Sequence, residues 1–233
     1  MENRLQKIIN DYSPNFYDWT DAINEHNELM FSADRTDNME KFHTITEYTA
    51  NTLASIFGVI KKFGKFKDDW DDSKMSLNLY GFDLIIRSCK LGTIFYLGID
   101  EKGLYIRTDL NNEVNLKNMK DDFWKKLLSL TEYEGFEFNQ YEDCSQDAKK
   151  EHPELFYSYK GMIFQIFRKY FFDSIDTNPY SSGIGSLGEF RVSWTGKTSF
   201  DEILSELCVV FKTLYELKYA LWKVDDLKKQ KSK

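Results

Sequence analysis

The strongest constraint on the fold is a repeat of apolar residues near the end of the 233-residue chain. The repeat follows alternating four- and three-residue steps over three heptads, at Ile203, Leu207, Val210, Leu214, Leu217, Leu221 and Val224. This spacing places the side chains on one face of an α-helix. We therefore predict a long C-terminal helix over residues 199–228 whose apolar face must pack against another surface.

Further apolar residues widen this face, namely Leu204, Cys208, Phe211, Tyr215 and Trp222. A face this wide is typical of a helix packed into its own domain rather than of a two-stranded coiled coil. The alternative is a helix shared with a partner or with a second copy of the chain, as in a homo-oligomer. Under that alternative, Leu214 and Leu221 are candidate interaction residues.

The middle of the chain changes to a two-residue period at about Met75. The segments SLNLYGFDLIIRSCK and GTIFYLGIDEKGLYIRTDL alternate as strands do. Within the second segment, Asp100-Glu101-Lys102-Gly103 suits a type I turn closed by a glycine bulge. We predict a small antiparallel sheet centred on residues 75–110, with one or two further strands.

The N-terminal residues 1–65 have a helical period. Apolar residues between Phe16 and Met30 share one helical face, and a second helix is predicted from about Asn38. The stripe on that second helix consists of Ile45, Thr49, Leu53, Ile56, Phe57 and Ile60. Residues 162–175 are apolar on most sides, and a helix is favoured over a strand.

Together these patterns predict an α+β fold. A helical region over residues 1–65 precedes an α+β region over residues 66–233, and we expect the two to form one compact unit. The α+β region ends in the long C-terminal helix.

Charge limits the kind of partner. The chain carries 38 acidic and 31 basic residues, a formal net charge of −7. Proteins that bind nucleic acids usually present a basic face, so this balance favours another protein as partner, including a basic one. The acidic residues Asp68, Asp69, Asp71 and Asp72 are candidate interaction residues for such a partner.

The cysteines and the hydropathy pattern indicate a compartment. Cys89, Cys144 and Cys208 are far apart, without the spacing of a zinc site or a disulfide framework. Free thiols suit a reducing environment. Since no apolar run has the length of a signal peptide or a membrane span, we predict a cytoplasmic protein that does not bind membranes.

A glycine-rich stretch carries the spacing of two nucleotide motifs. Gly183, Gly185 and Gly188 match a dinucleotide-binding turn, which needs a strand before it and a helix after it. Here the strand-like EFRVSW follows the glycines instead. Arg191 stands where a phosphate-binding loop requires glycine before its Gly-Lys pair. Because Ser199 and Glu202 predict a helix capping box, no nucleotide cofactor is expected.

The alternative function depends on Asp83, Asp100 and Lys102. Asp83 lies in GFDLII, and Asp100-x-Lys102 follows the apolar strand FYLGI after sixteen intervening residues. This pattern resembles the core of the PD-(D/E)XK nucleases over residues 80–102. The resemblance implies that Asp83 and Asp100 hold Mg²⁺ and that Lys102 helps to position or activate water.

No other group of side chains forms a coherent active site in the sequence. The three histidines are scattered, and no nucleophile motif accompanies them. The preferred function is therefore that of an acidic intracellular protein–protein interaction protein without a cofactor. It would serve as a subunit, an adaptor or an inhibitory partner of another macromolecule. The alternative is a Mg²⁺-dependent nuclease, and only that alternative would make nucleic acid a partner.

Overall fold

The computed structural model describes residues 39–78, 81–100, 103–110, 113–139, 163, 166–167, 188–194 and 199–231. The helices in these residues are α1 (Met39–Gly64), α2 (Asp121–Ser129) and α3 (Phe200–Lys231). The strands are β1 (Trp70–Asn78), β2 (Gly81–Ser88), β3 (Ile94–Asp100), β4 (Gly103–Asp109), β5 (Phe136–Asn139) and β6 (Glu189–Trp194). Short 3₁₀ helices, Glu113–Asn118 and Leu130–Glu132, flank α2. The predicted α+β class is confirmed.

The strands form a six-stranded sheet with the order β1-β2-β3-β4-β6-β5. Antiparallel pairing joins β1 to β2, β2 to β3 and β5 to β6. The two-residue connection between β3 and β4 also makes that pair antiparallel. The sheet is larger than the predicted one, which was centred on residues 75–110, because β1 already begins at Trp70 within the acidic segment.

Residue contacts divide the chain into two compact units. The first unit comprises residues 1–106 and 193–212, and the second comprises residues 107–192 and 213–233. The predicted division at residue 65 stays a prediction, since residues 1–38 lie outside the described residues. The helix expected between Phe16 and Met30 lies outside them as well.

The core of the first unit lies on one face of its strands. Alternate residues of a strand point to the same face of the sheet. The buried residues on this face of β2 are Phe82, Leu84 and Ile86, and they pair with the buried residues Ile99, Leu97 and Phe95 of β3. The described stripe of α1 is buried as predicted, at Thr49, Leu53, Ile56, Phe57 and Ile60. An aromatic cluster, defined as Phe57, Phe66, Trp70, Phe95 and Phe211, completes this core, with ring centroids 4.8–6.2 Å apart.

The core of the second unit uses α2, β5 and the later turns of α3. Phe123 and Leu127 of α2 are buried. Phe138 of β5 pairs with Phe190 of β6, with ring centroids 5.2 Å apart. The Asn115 side chain donates a 3.2 Å hydrogen bond to the backbone carbonyl of Leu221, which ties the first 3₁₀ helix to α3. Ile163, Ile166 and Phe167, the described part of segment 162–175, have helical backbone.

The start of α3 confirms the predicted capping box. The Ser199 hydroxyl oxygen accepts the backbone N–H of Glu202 at 3.4 Å, and the Glu202 carboxylate accepts the backbone N–H of Ser199 at 3.3 Å. The glycine motif partly precedes the described residues. Gly188 is described, has a φ of 152° and leads directly into β6, the strand that we predicted there. Gly183, Gly185 and residues 196–198 lie outside.

Candidate functional site

Asp83 is held in a buried side-chain pair in the first unit. It is 1% exposed, and its Oδ1 accepts a 2.5 Å hydrogen bond from the Tyr105 hydroxyl of β4. Gly98 of β3 lies opposite Asp83 in the sheet. A β-carbon at Gly98 would come within 2.6 Å of both Asp83 Oδ1 and Tyr105 Cζ. Because glycine has no β-carbon, Gly98 leaves the space in which the side chains of Asp83 and Tyr105 meet across β3.

The chemistry of this pair is that of a structural hydrogen bond. A carboxyl group taken out of water destabilises a fold unless it finds a partner, and the Tyr105 hydroxyl supplies one. Tyr105 is itself buried, so the pair is shielded from solvent. Sequence reasoning missed it because the two residues are 22 positions apart and lie on strands that do not neighbour each other.

Asp100 lies on the same sheet face as Asp83. Asp100 pairs with Gly81, and Asp83 pairs with Gly98, so the two aspartates are diagonal neighbours on β2 and β3. Diagonal neighbours in antiparallel sheets are roughly 7–8 Å apart, and their β-carbons are somewhat closer. Lys102, the third residue of the nuclease hypothesis, lies outside the described residues.

The described side chains do not fit a Mg²⁺ site well. One oxygen of Asp83 already accepts a hydrogen bond from Tyr105. The described residues contain no group of three or more His, Cys, Asp or Glu side chains able to hold a metal ion. The nuclease hypothesis stays a prediction, and the geometry of Asp83 does not favour it.

The acidic segment stabilises the fold locally. The Asp68 carboxylate accepts the Ser88 hydroxyl at 2.5 Å and the backbone N–H of Lys90 at 3.0 Å, which holds the connection between β2 and β3. The Asp72 carboxylate forms a 2.9 Å ion pair with Lys61 of α1. Asp72 therefore connects β1 to α1, and Asp68, two residues before β1, connects the start of the strand to the connection between β2 and β3.

Asp71 and Asp69 have different surroundings. The Asp71 carboxylate accepts hydrogen bonds from the hydroxyl and the backbone N–H of Ser73, and these bonds lower the pKa of Asp71. The bonds lie at a bulge, since the register of β1 shifts between Asp71 and Lys74. Asp69 is exposed. Binding of a basic partner by these four aspartates stays a prediction, and three of them already have partners within the chain.

Leu214 and Leu221 are covered by the chain itself. They are 1% and 0% exposed, and the apolar repeat is buried from Ile203 to Leu221. The burial of the repeat agrees with a helix packed into its own domain. Partner binding through these two leucines stays a prediction that their burial does not favour.

A groove in the second unit, between α2 and the end of α3, was missed by the sequence reasoning. It has a volume of about 430 Å³. Its apolar lining consists of Met119, Phe123, Leu217, Ala220, Val224 and Leu227, and its charged lining consists of Lys120, Asp122, Lys126, Glu216 and Lys223. We refer to it as the α2–α3 groove. An ion pair between Lys126 and Glu216 joins the two helices beside it.

One face of the last turns of α3 lines this groove and is only partly covered. Val224 is half-buried, and Leu227, one three-residue step further, is 47% exposed. Leu217, Ala220, Val224 and Leu227 follow steps of three and four residues, which keeps them on one helix face. The exposed apolar residue Leu227, three residues after the last position of the repeat, was a sequence signal for this surface, but the sequence does not show which helix lies beside it.

Lys218 is a buried lysine on the same part of α3. It is 6% exposed, and its Nζ is buried without a hydrogen-bond partner. Burial lowers the pKa of Lys218 to about 8, while the nearby Asp109 acts in the opposite direction. By contrast, burial raises the pKa of the Cys208 thiol to about 12, so this cysteine is an unreactive core residue.

Comparison with known proteins adds no relative. No family model matches the chain, and no curated protein or solved structure gives a significant match. Among the described helices, none is both long and apolar enough to cross a membrane.

Proposed function

We propose that the chain is a protein–protein interaction protein and that the α2–α3 groove is its binding surface. The observation that carries the proposal is an apolar groove with a large exposed side chain, Leu227, at its end. Apolar surface of this kind, surrounded by charged residues, is typical of binding sites for other proteins.

The shape of the groove suits a helical partner. From Leu217 to Leu227, α3 lines the groove for about 15 Å, close to three turns at the rise of an α-helix. An amphipathic helix that binds a groove uses apolar residues at steps of three, four and seven. Ala220, the smallest lining side chain, leaves room for a partner backbone in the middle of the groove.

Two of the described polar pairs outside the groove serve to hold the fold together. Arg107 of β4 donates a 2.7 Å hydrogen bond to Glu189 of β6, and the Glu189 side chain is nearly buried. Trp194 Nε1 donates a 2.7 Å hydrogen bond to Glu206 of α3. These pairs hold elements of each unit together. The described cysteines, Cys89 and Cys208, are both free thiols, which supports a reducing compartment, and we propose the cytoplasm.

Site-specific photo-cross-linking tests this function. A photoreactive amino acid at Leu227 should cross-link a partner protein in the cells that produce the chain. The matched control is the same amino acid at Val209, which is 44% exposed on α3 but does not line the groove. A protein cross-linked from position 227 and not from position 209 is the expected result. Equal cross-linking from both positions, or none from position 227, would contradict the proposal.

The nuclease remains a second proposal. Its one supporting observation is that Asp83 and Asp100 are diagonal neighbours on one face of the sheet. Its weakness is the hydrogen bond that Asp83 already accepts from Tyr105.

A further inference from the structure

The lining of the α2–α3 groove has the opposite charge to the chain as a whole. Three lysines, Lys120, Lys126 and Lys223, and two acidic residues, Asp122 and Glu216, line the groove. Three positive and two negative charges leave the lining at +1, whereas the whole chain has a net charge of −7.

The charged residues of the lining are not all available to a partner. Lys126 and Glu216 neutralise each other in their ion pair. Asp122 lies in the first turn of α2, where the helix dipole stabilises a carboxylate. Lys120 and Lys223 are exposed at the groove, so their ammonium groups are accessible to a partner.

We infer that the occupant of the α2–α3 groove is an acidic amphipathic helix of a partner protein. This inference rests on the proposed function and gives it a partner chemistry. Apolar side chains of the partner would contact Phe123, Val224 and Leu227, and its carboxylates would lie beside Lys120 and Lys223. Complementary charge raises the association rate and excludes partners of the wrong sign.

A second copy of the chain is a poor occupant for the same reason. In a two-fold symmetric dimer the same patch meets itself. A lining of net positive charge would then meet an identical lining, and like charges brought together at an interface are unfavourable. Charge therefore favours a different, acidic protein.

Peptide display with the full chain tests this chemistry. A library of random 20-residue peptides is selected on the wild-type protein and counter-selected on the Leu227→Asp variant. We expect the enriched peptides to be net negative, with apolar residues at steps of three, four and seven. Their dissociation constants, measured by fluorescence anisotropy, should rise about tenfold or more for Leu227→Asp and stay unchanged for the matched control Val209→Asp.

A second variant tests the contribution of the lysine charges to peptide binding. The double substitution Lys120→Glu and Lys223→Glu should weaken the binding of an enriched acidic peptide by about tenfold, and added salt, which weakens binding to the wild type, should no longer weaken binding to the variant. Circular dichroism of each variant verifies that the fold is kept, since all the substituted side chains are exposed.

Several outcomes would overturn the inference. They are enrichment of basic or uncharged peptides, no enrichment over the Leu227→Asp variant, or binding that the double lysine substitution leaves unchanged. Self-association of the wild-type chain that Leu227→Asp abolishes would overturn it in favour of a second copy. A cross-linked partner whose binding segment is basic would refute the acidic chemistry while supporting the proposed function, so the two failures are distinguishable.

Discussion

The two parts of α3 use one continuous apolar repeat in different ways. In the first unit the repeat is fully covered, and Phe211 lies within 4.8–5.7 Å of four other aromatic rings. In the second unit the same helix buries an unpaired lysine, Lys218, and leaves Leu227 exposed at a groove. A regular sequence pattern therefore does not imply a regular environment.

The difference between the two parts of α3 suggests separate roles, one in stability and one in function. A region in which every buried group is apolar or paired contributes to folding, whereas natural proteins tend to break packing rules where they bind or react. The buried polar groups show the same contrast. Asp83 in the first unit has Tyr105 as its partner, and Lys218 in the second has no hydrogen-bond partner.

Removal of Phe211 should have the largest effect. Phe211→Ala leaves a cavity in the aromatic cluster, and such truncations cost about 3–5 kcal/mol of unfolding free energy. Denaturant unfolding measures this loss. The matched control Val209→Ala, at an exposed position of the same helix, should change stability by about 0.5 kcal/mol or less. A loss below about 1 kcal/mol for Phe211→Ala would mean that the cluster is not the stabilising core.

Replacement of Lys218 should increase the stability of the fold, in contrast to replacement of Phe211. Lys218→Met keeps an unbranched side chain and removes an ammonium group that is buried without a partner, so we expect the variant to be more stable at pH 7. The displacement of the pKa from 10.5 to about 8 corresponds to about 3 kcal/mol. A variant less stable than the wild type at pH 7 would show that the ammonium group has a partner in solution.

The pH dependence sharpens the Lys218 comparison. Between about pH 8 and pH 10.5 the unfolded chain keeps the proton on Lys218 while the folded chain has released it. Because the unfolded state binds more protons there, this group makes the folded state more stable as the pH rises. The stability gap between Lys218→Met and wild type should therefore close from pH 8 to pH 10.5. Cys208, whose contribution has the opposite sign, is common to both proteins and cancels. A gap that stays constant would refute the lowered pKa.

Loss of the Tyr105 hydroxyl should have an intermediate effect. Tyr105→Phe leaves Asp83 buried without this hydrogen bond, which costs about 1–3 kcal/mol for such a group. A double-mutant cycle with Asp83→Asn checks the pairing. The double variant should cost less than the sum of the single variants, whereas additive losses would mean that the two side chains do not interact.

Local patterns were sufficient to predict much of the fold. The capping box of Ser199 and Glu202, the stripe of α1 and the strands β3 and β4 depend on residues close together in sequence. In these elements the side-chain period and the packing agree.

The acidic start of β1 was missed because long-range packing overrides its charge. The Trp70 ring lies edge-on against Phe57 at 5.4 Å, and Asp72 is neutralised by Lys61. No periodicity within residues 68–74 reveals either contact. The α2–α3 groove was missed for the same reason, because it depends on two helices separated by 70 residues in the sequence.

Substitution of Asp100 should have the smallest effect. Asp100 is half-buried at the end of β3, and Asp100→Ala should cost about 1 kcal/mol or less. Groove binding should be unchanged, since Asp100 does not line the α2–α3 groove. If the chain is an interaction protein, neither wild type nor variant will cleave DNA or RNA with Mg²⁺ or Mn²⁺. Metal-dependent cleavage by wild type that is lost in Asp100→Ala and in Asp83→Ala would instead establish the sheet face of the first unit as a nuclease site. The contrast between the two units would then be one between a catalytic face and a binding groove.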